Sequence, residues 1–371
     1  MQTLSFSKFL FLILSTSVFI FSACKPQDPL NQIDETIKAH VRLNADSCRT
    51  FIQRDNNNQG EVVIYGQADK AFTDAKVKFV NALGGSESIW FTLQFTSTGV
   101  FKGKFKLQGG GYYPVLQLSK DNVLITDSTI QKTFNVGEVF ALIGHSMAEG
   151  QVPYFLDDFD QKWCDIVKWD IPGSNNAFWG RLADKLKGRL KVPIRIYNTA
   201  NGGSTSEQYG KSAYGQEFQS PIYNWSLKQP YCFFESRLQN DFVKSGLRAI
   251  LVMHGENDVY IPEDKIVEYT RMYVNRTRDL LQNPSLTFVI SKCNTGGTSP
   301  NELKVKAAQK RILTEIDNTY LGANLEKITG AGFRWDGTHF NFAGLEEAAN
   351  QWDIALNADF FVKAKPYLPV K

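Results

Sequence analysis

The sequence predicts an α/β protein whose main sheet is parallel and covered by helices on both faces, preceded by a small all-β sandwich. Three observations predict it. From about Cys48 to Thr133 the apolar stretches all have strand length, and no helical stretch of useful length interrupts them. After Asn135-Val136-Gly137 the pattern changes, and short apolar runs alternate with longer amphipathic segments. The length of 371 residues suggests roughly two domains at about 150 residues each.

In the first region the candidate strands are Glu61–Gly66, Ala75–Val80, Ser88–Phe95, Gly103–Leu107 and Tyr113–Leu118. Several alternate apolar with polar residues, as a half-buried strand requires, and the breaks carry Gly84-Gly85 and Gly109-Gly110-Gly111. Regular strand and turn spacing of this kind predicts a sandwich over 47–135.

In the second region, 136–371, the apolar runs are Val139–Ile143, Val192–Tyr197, Ala249–Met253 and Leu286–Ser291. Helices are expected at about 175–190, 262–282, 301–317 and 344–360, the first capped by Ser174 and the second started by Pro262. Strands that are apolar throughout belong to a sheet buried on both faces. Ligands of such sheets sit at the carboxyl ends of the strands, so the residues just after each run carry the functional argument.

The first 23 residues read as an export signal. Lys8 precedes the apolar run Phe9–Leu14 and then Val18–Phe21, and only 15 residues separate Lys8 from Cys24, fewer than the ~20 of a membrane-spanning helix. Phe21-Ser22-Ala23-Cys24 resembles a bacterial lipobox, which implies cleavage before Cys24, lipidation of that cysteine and a membrane-anchored protein facing the periplasm or cell surface. An ordinary secretory signal with a chance cysteine is the other reading. The polar, weakly periodic stretch 24–46, which includes His40, is expected to be a solvated tether.

Composition narrows the partners. The counts of 41 Lys+Arg and 38 Asp+Glu give a formal charge of +3, and loss of the leader with its single charge, Lys8, leaves +2. With 43% hydrophobic residues, the chain is neither disordered nor a strongly basic nucleic-acid binder. Beyond Cys24, the cysteines are Cys48, Cys164, Cys232 and Cys293, and an exported compartment permits disulfides in any of three pairings. They are read as structural. No Cys-x-x-Cys occurs and the histidines are scattered, so no metal site is expected.

The strand ends supply chemistry in order. Gly144-His145-Ser146-Met147 follows the first run, Asn201-Gly202-Gly203-Ser204 the second, Gly255-Glu256-Asn257-Asp258 the third, and Asp336-Gly337-Thr338-His339 lies near the C-terminus. A serine hydroxyl is a weak nucleophile that needs a base, and an imidazole held in one tautomer by a carboxylate is such a base. Asp336 and His339, three apart, can turn to one side of a tight loop. A tetrahedral intermediate also needs donors aimed at its oxyanion. The N–H groups of Ser146 and Gly203 and the side-chain amide of Asn257 can supply three, and a glycine at the second position lets backbone approach the substrate.

This arrangement resembles the SGNH (GDSL-like) hydrolase superfamily, and within it the carbohydrate O-acetylesterases that include sialate O-acetylesterases. The resemblance covers about Asn135 to Phe361, with Val136–Gly144, Tyr197–Gly203 and Arg248–Glu256 matching the blocks around the first three sites. It implies a three-layer flavodoxin-like fold, Ser146 as nucleophile, Asp336 and His339 as acid and base, and an oxyanion hole from Ser146, Gly203 and Asn257. No cofactor is implied. The chain departs from the branch at His145 and Met147, where Gln and Asn often flank the serine, and at His254, where Gln is frequent.

The expected function is removal of acyl groups, acetyl first, from hydroxyls of an oligo- or polysaccharide. His145, His254, Glu256 and Trp335 are the pocket candidates, with an ordinary hydrogen-bonded histidine as the other reading of the first two. Trp163, Trp169 and Trp225 are possible sugar-stacking surfaces, whereas Trp179 reads as core. Other readings are a silent glycan-binding lipoprotein, a lipase or thioesterase with the same machinery, and an α/β-hydrolase in which Asp258 replaces Asp336. Against the last stand the all-β residues before Val136 and the 81-residue step from Asp258 to His339.

Overall fold

The computed structural model describes residues 36–44, 47–96, 98–150, 158–168, 177–293 and 297–369. The expected leader (1–23), Cys24, most of the tether, Trp169 and the Ser174 cap lie outside the described residues.

The first strands are β1 (Val41–Leu43), β2 (Phe51–Gln53), β3 (Gln59–Ala68), β4 (Asp74–Asn81), β5 (Phe91–Thr92), β6 (Gln94–Phe95), β7 (Val100–Gln108), β8 (Gly110–Lys120) and β9 (Val123–Thr129). One antiparallel sheet has the order β1-β3-β7-β6, and the facing sheet is built on β9-β8-β4-β5. Alternation along β3 and β7 turns Val62, Ile64, Phe101, Phe105 and Leu107 inward, where they meet Phe79, Leu116, Leu118 and Phe134. The single strand expected over Ser88–Phe95 divides at buried Leu93. Its first half pairs with β4 and its second with β7, so the chain crosses between the two sheets there. The tether expectation is corrected at its end: β1 falls inside 24–46 and pairs with β3, and Ala39 N–H donates to the Ile125 carbonyl.

The remaining elements are β10 (Phe134–Gly144), α1 (Ser146–Glu149), β11 (Cys164–Lys168), α2 (Trp179–Leu190), β12 (Ile194–Asn198), α3 (Ser206–Ala213), α4 (Tyr231–Arg237), α5 (Val243–Ser245), β13 (Ala249–Met253), α6 (Glu263–Leu280), β14 (Phe288–Lys292), α7 (Pro300–Glu315), β15 (Thr319–Asn324), α8 (Phe342–Ala355) and α9 (Ala358–Lys363). All strands from β10 onward are parallel, in the order β11-β12-β10-β13-β14-β15. Without the edge strand β11 this is the flavodoxin-like order 2-1-3-4-5. Alternate residues of β10 serve opposite cores. Phe140 and Leu142 face α2 and α8 through Trp179, Leu182 and Trp352, while Val139, Ala141 and Ile143 face Tyr209, Phe234, Tyr273 and Ile312 on α3, α4, α6 and α7.

The sequence reading missed β11 and β15, which are short and only partly buried, and the small helices α3 and α4. The helix expected over 344–360 is two helices, because Asn357 leaves the helix and caps α9 by accepting from the Phe360 N–H at 3.0 Å. No helix among the described residues is long and apolar enough to cross a membrane.

Strand β10 joins the two regions. Phe134–Val136 pairs with β8 and Asn135–Gly137 with β2, whereas Glu138–Leu142 pairs with β12 and Phe140–Gly144 with β13. Residue 136 therefore lies inside a continuous strand. At its waist the buried Glu138 carboxylate accepts from Gln53 Nε2 at 2.8 Å, Arg54 Nε at 2.6 Å, and Arg248 Nε and Nη2 at 2.7 and 3.0 Å. Arg248 also donates to the Ala364 carbonyl, which brings in the C-terminal segment. A buried ion is tolerable only with its partners in place. Glu138→Gln should lower unfolding stability by about 3–5 kcal/mol, seen as a lower urea midpoint.

Candidate active site

The four sequence blocks come together at the carboxyl ends of β10, β12 and β13 and on the loop before α8. Ser146 is the first residue of α1, immediately beyond β10. Around β10 the strand order reverses, since β12 lies on one side and β13 on the other, which is where open α/β sheets leave a crevice.

His339 Nε2 lies 2.9 Å from Ser146 Oγ, and His339 Nδ1 lies 2.7 Å from Asp336 Oδ2. Asp336 Oδ1 accepts from the backbone N–H groups of Thr338 and His339 at 2.8 and 2.6 Å, which folds the Asp-Gly-Thr-His loop around the carboxylate. Partial burial pushes the Asp336 carboxyl up, but the bonds from the His339 ring, the His339 N–H and the Thr338 N–H outweigh it and hold it at about 2. An ionised carboxylate on Nδ1 fixes the tautomer in which Nε2 accepts the serine hydroxyl. Serine, imidazole and carboxylate thus form one relay.

The other blocks are laced to the first. The Gly144 carbonyl accepts from Asn201 N at 2.8 Å and Ser204 Oγ at 3.0 Å, and Glu149 Oε2 accepts from Gly202 N at 2.8 Å. Gly203 has φ +72°, a conformation that glycine adopts without the Cβ cost of other residues. Asn257 Nδ2 donates one hydrogen to the Ser204 carbonyl at 3.0 Å, leaving its second hydrogen for another acceptor. Gly255 brings that loop against β14, since a Cβ on it would stand 2.0 Å from the Cys293 carbonyl oxygen.

Three pocket candidates are corrected. His145 is buried with Nε2 3.3 Å from Cys293 Sγ, and His254 is buried with its ring centroid 4.8 Å from that of Tyr209 and 6.0 Å from that of Tyr273. Both lie behind the site, because the apolar layer under the strand ends takes up their rings. Burial lowers each pKa to about 3, so both rings are neutral. Glu256 is buried in an ion pair with Arg334 at 2.9 Å. Trp335 is 52% exposed, and its ring stacks beside that of His339 at 6.2 Å between centroids. Trp179 is core, and Asp258 serves α3 by accepting from Ser206 N at 2.9 Å. Cys48, Cys164, Cys232 and Cys293 are free thiols. Among the described residues no three His, Cys, Asp or Glu side chains converge as a metal would require.

Sequence reasoning missed Arg334. Its guanidinium pairs with Glu256 beside Asn257, and it donates to the Ile328 carbonyl at 2.7 Å and to the carbonyl of Thr338, next to His339. One buried side chain therefore connects the Asn257 loop to the Asp336–His339 loop. The visible signal was an arginine two residues before Asp336, alone too common to single out.

Two outcomes follow from this geometry. The rings of His145 and His254 should not titrate between about pH 5 and pH 9, checked by 15N NMR of the histidine side chains, because burial disfavours their charged forms. Arg334→Lys keeps a positive charge near Glu256 but loses the planar fork. It should lower kcat for the ester hydrolysis implied by the resemblance by roughly ten- to a hundredfold with little change in KM, measured in the steady state.

No protein-family model and no curated protein matches the chain. Similar solved structures include a carbohydrate acetylesterase from Xanthomonas citri, at TM-score 0.46 and 14% identity over 85% of this chain and 74% of that one. A family 3 carbohydrate esterase from Clostridium thermocellum gives TM-score 0.39 and 13% identity over 62% and 99% of the two chains. The psychrotrophic esterase EstA from Pseudoalteromonas is similar at TM-score 0.38 and 11% identity over 59% of this chain and 96% of its own.

Proposed function

We propose that the chain is a serine esterase of the SGNH type that removes acyl groups, acetyl first, from hydroxyls of a carbohydrate. The observation that carries this reading is the unbroken relay from Ser146 Oγ through His339 to Asp336, at 2.9 and 2.7 Å.

In the proposed reaction Ser146 Oγ attacks the ester carbonyl as its proton passes to His339 Nε2. The imidazolium that forms is stabilised by Asp336, which the loop N–H groups keep ionised. The negative charge on the former carbonyl oxygen meets the N–H groups of Ser146 and Gly203 and the remaining amide hydrogen of Asn257, each such donor being worth about 3 kcal/mol. Collapse expels the sugar alkoxide, which takes the proton from His339 and leaves an acyl-serine. Water then gives a proton to His339 as its oxygen attacks the acyl-enzyme, and a second collapse releases the carboxylic acid and restores the serine.

The preference for a carbohydrate ester rests on the motif resemblance and is supported by the surroundings of the relay. Trp335 offers an exposed ring beside the base. Ile222, 62% exposed, reaches to 3.0 Å from where a Cβ on Gly203 would stand. Apolar surfaces of this size suit a sugar face and a short acyl chain. Export and anchoring through Cys24 belong to the same proposal and rest on the leader sequence.

Ser146→Ala should abolish hydrolysis of p-nitrophenyl acetate, and residual activity near wild type would exclude the mechanism. Asp336→Asn should cost up to about 10⁴-fold in kcat, as loss of the tautomer-fixing carboxylate does in such relays, whereas Asp258→Asn should cost far less. Release of free acetate from a panel of acetylated plant, mucin and bacterial glycans identifies the sugar class.

A further inference from the structure

The outer face of the β1-β3-β7-β6 sheet gathers a charge that the composition of the chain conceals. Strand β7 turns Phe101, Phe105 and Leu107 inward and leaves Lys102, Lys104 and Lys106 exposed on the other side. Such neighbours stand about 6.8 Å apart along a strand. The register sets Tyr65 opposite Lys102 and Val63 opposite Lys104, and Gln94 of β6 opposite Lys102 from the other edge. Directly paired residues share a face, so Arg42, opposite Gln67, and Arg49, opposite Val63, join the same surface. Five cations therefore lie on one face.

Little neutralises them. Among the described residues Arg42, Arg49, Lys102 and Lys104 have no ion-pair partner, and Lys106 reaches Asp55 only at 3.9 Å. Glu61, opposite Lys106, is the one carboxylate that the β3–β7 register places on this face. A groove of about 430 Å³ opens beside Lys102 and Lys104, lined also by Val63, Tyr65, Thr92 and Gln94 and reaching down to Gly103 and Phe105. Its lining brings the half-buried Tyr65 together with a threonine, a glutamine and two lysine side chains.

We propose that this groove binds an anionic polysaccharide, one bearing carboxylates or sulfates along an extended chain. The lysines meet the charges, Tyr65 packs against a sugar face, and Thr92 and Gln94 exchange hydrogen bonds with hydroxyls. An anionic lipid surface would be met by the cations alone and would make no use of a groove that also presents Tyr65, Thr92 and Gln94. Clustered charge of one sign raises the local concentration of an opposite polymer even when the net charge of the protein is near zero. The site is separate from the Ser146 relay and does not depend on the esterase reading.

Full-length protein applied to immobilised polygalacturonate or heparin, with dextran as the neutral control, tests this. Retention is expected on the polyanions only and should weaken as salt rises past the point where the screening length falls to about 8 Å. The double variant Lys102→Gln/Lys104→Gln should bind at least about tenfold more weakly. Tyr65→Ala should weaken polysaccharide binding with the charge intact. The double variant should keep the wild-type unfolding midpoint, whereas Tyr65→Ala should stay folded by circular dichroism although its midpoint falls, because Tyr65 also packs on the sandwich core. Both should keep wild-type hydrolysis of p-nitrophenyl acetate, so failure here is distinct from failure of the catalytic reading. Equal retention on dextran, unchanged binding by the double variant, or binding to phosphatidylglycerol vesicles that polygalacturonate does not displace and that Tyr65→Ala leaves intact, would each overturn the proposal.

Discussion

Strand β10 has to satisfy two sheets with one backbone. Its first residues hydrogen-bond to an antiparallel strand and to β2, and its last residues sit between two parallel neighbours. The change of partner at Gly137-Glu138 leaves no room for a side chain on the glycine, where a Cβ would stand 2.0 Å from the Pro193 carbonyl oxygen. It also leaves a buried carboxylate that only the surrounding arginines and Gln53 make tolerable. Those partners come from the end of β2 and the residue after it, from the residue before β13 and, through Arg248, from the C-terminal segment. The direction in which β10 delivers Ser146 is thus set by contacts drawn from both ends of the chain.

From that fixed point the site is assembled by backbone rather than by long side chains. The Gly144 carbonyl collects the loop after β12, and the Ser204 carbonyl collects Asn257. The Asp336–His339 loop does not directly follow a strand, since β15 ends at Asn324. It is held by Asp336 on its own N–H groups and by Arg334 against Glu256, an ion pair sealed from water in which each charge needs the other. Asp336 owes its low pKa to hydrogen bonds, not to burial, so its charge does not depend on excluding solvent. His145 and His254 are kept neutral by burial, so neither sets a positive charge beside the His339 imidazole.

The parts of this arrangement that the sequence made legible are those with a local signal. Apolar runs marked four of the strands in the parallel sheet, and the residues just past them marked Ser146, Gly203 and Asn257. Asp336 and His339 are three residues apart and close their own loop. What stayed hidden needed a partner far along the chain. Glu256 carries no mark of Arg334, 78 positions later, and so read as a pocket residue. His145 and His254 stand at strand ends like the functional residues, and only the rings of Tyr209 and Tyr273 and the thiol of Cys293 show that they point into the core. The capping box of α3, with Thr205 and Gln208 bonded to each other's backbone, was a local signal that could have been read.

The near-neutral charge of the chain has a similar lesson. A total is silent about where charges lie, and a strand separates them by its own period. In Lys102-Gly103-Lys104-Phe105-Lys106 each lysine is followed by a residue that belongs to the core or must be small beside it, because a Cβ on Gly103 would meet the Phe105 ring. The same alternation that builds the sandwich core therefore lines up the cations on its far side. Burial on one face, with Glu61 the one carboxylate that the β3–β7 register sets on the other, is enough to give a protein of low net charge one strongly basic surface.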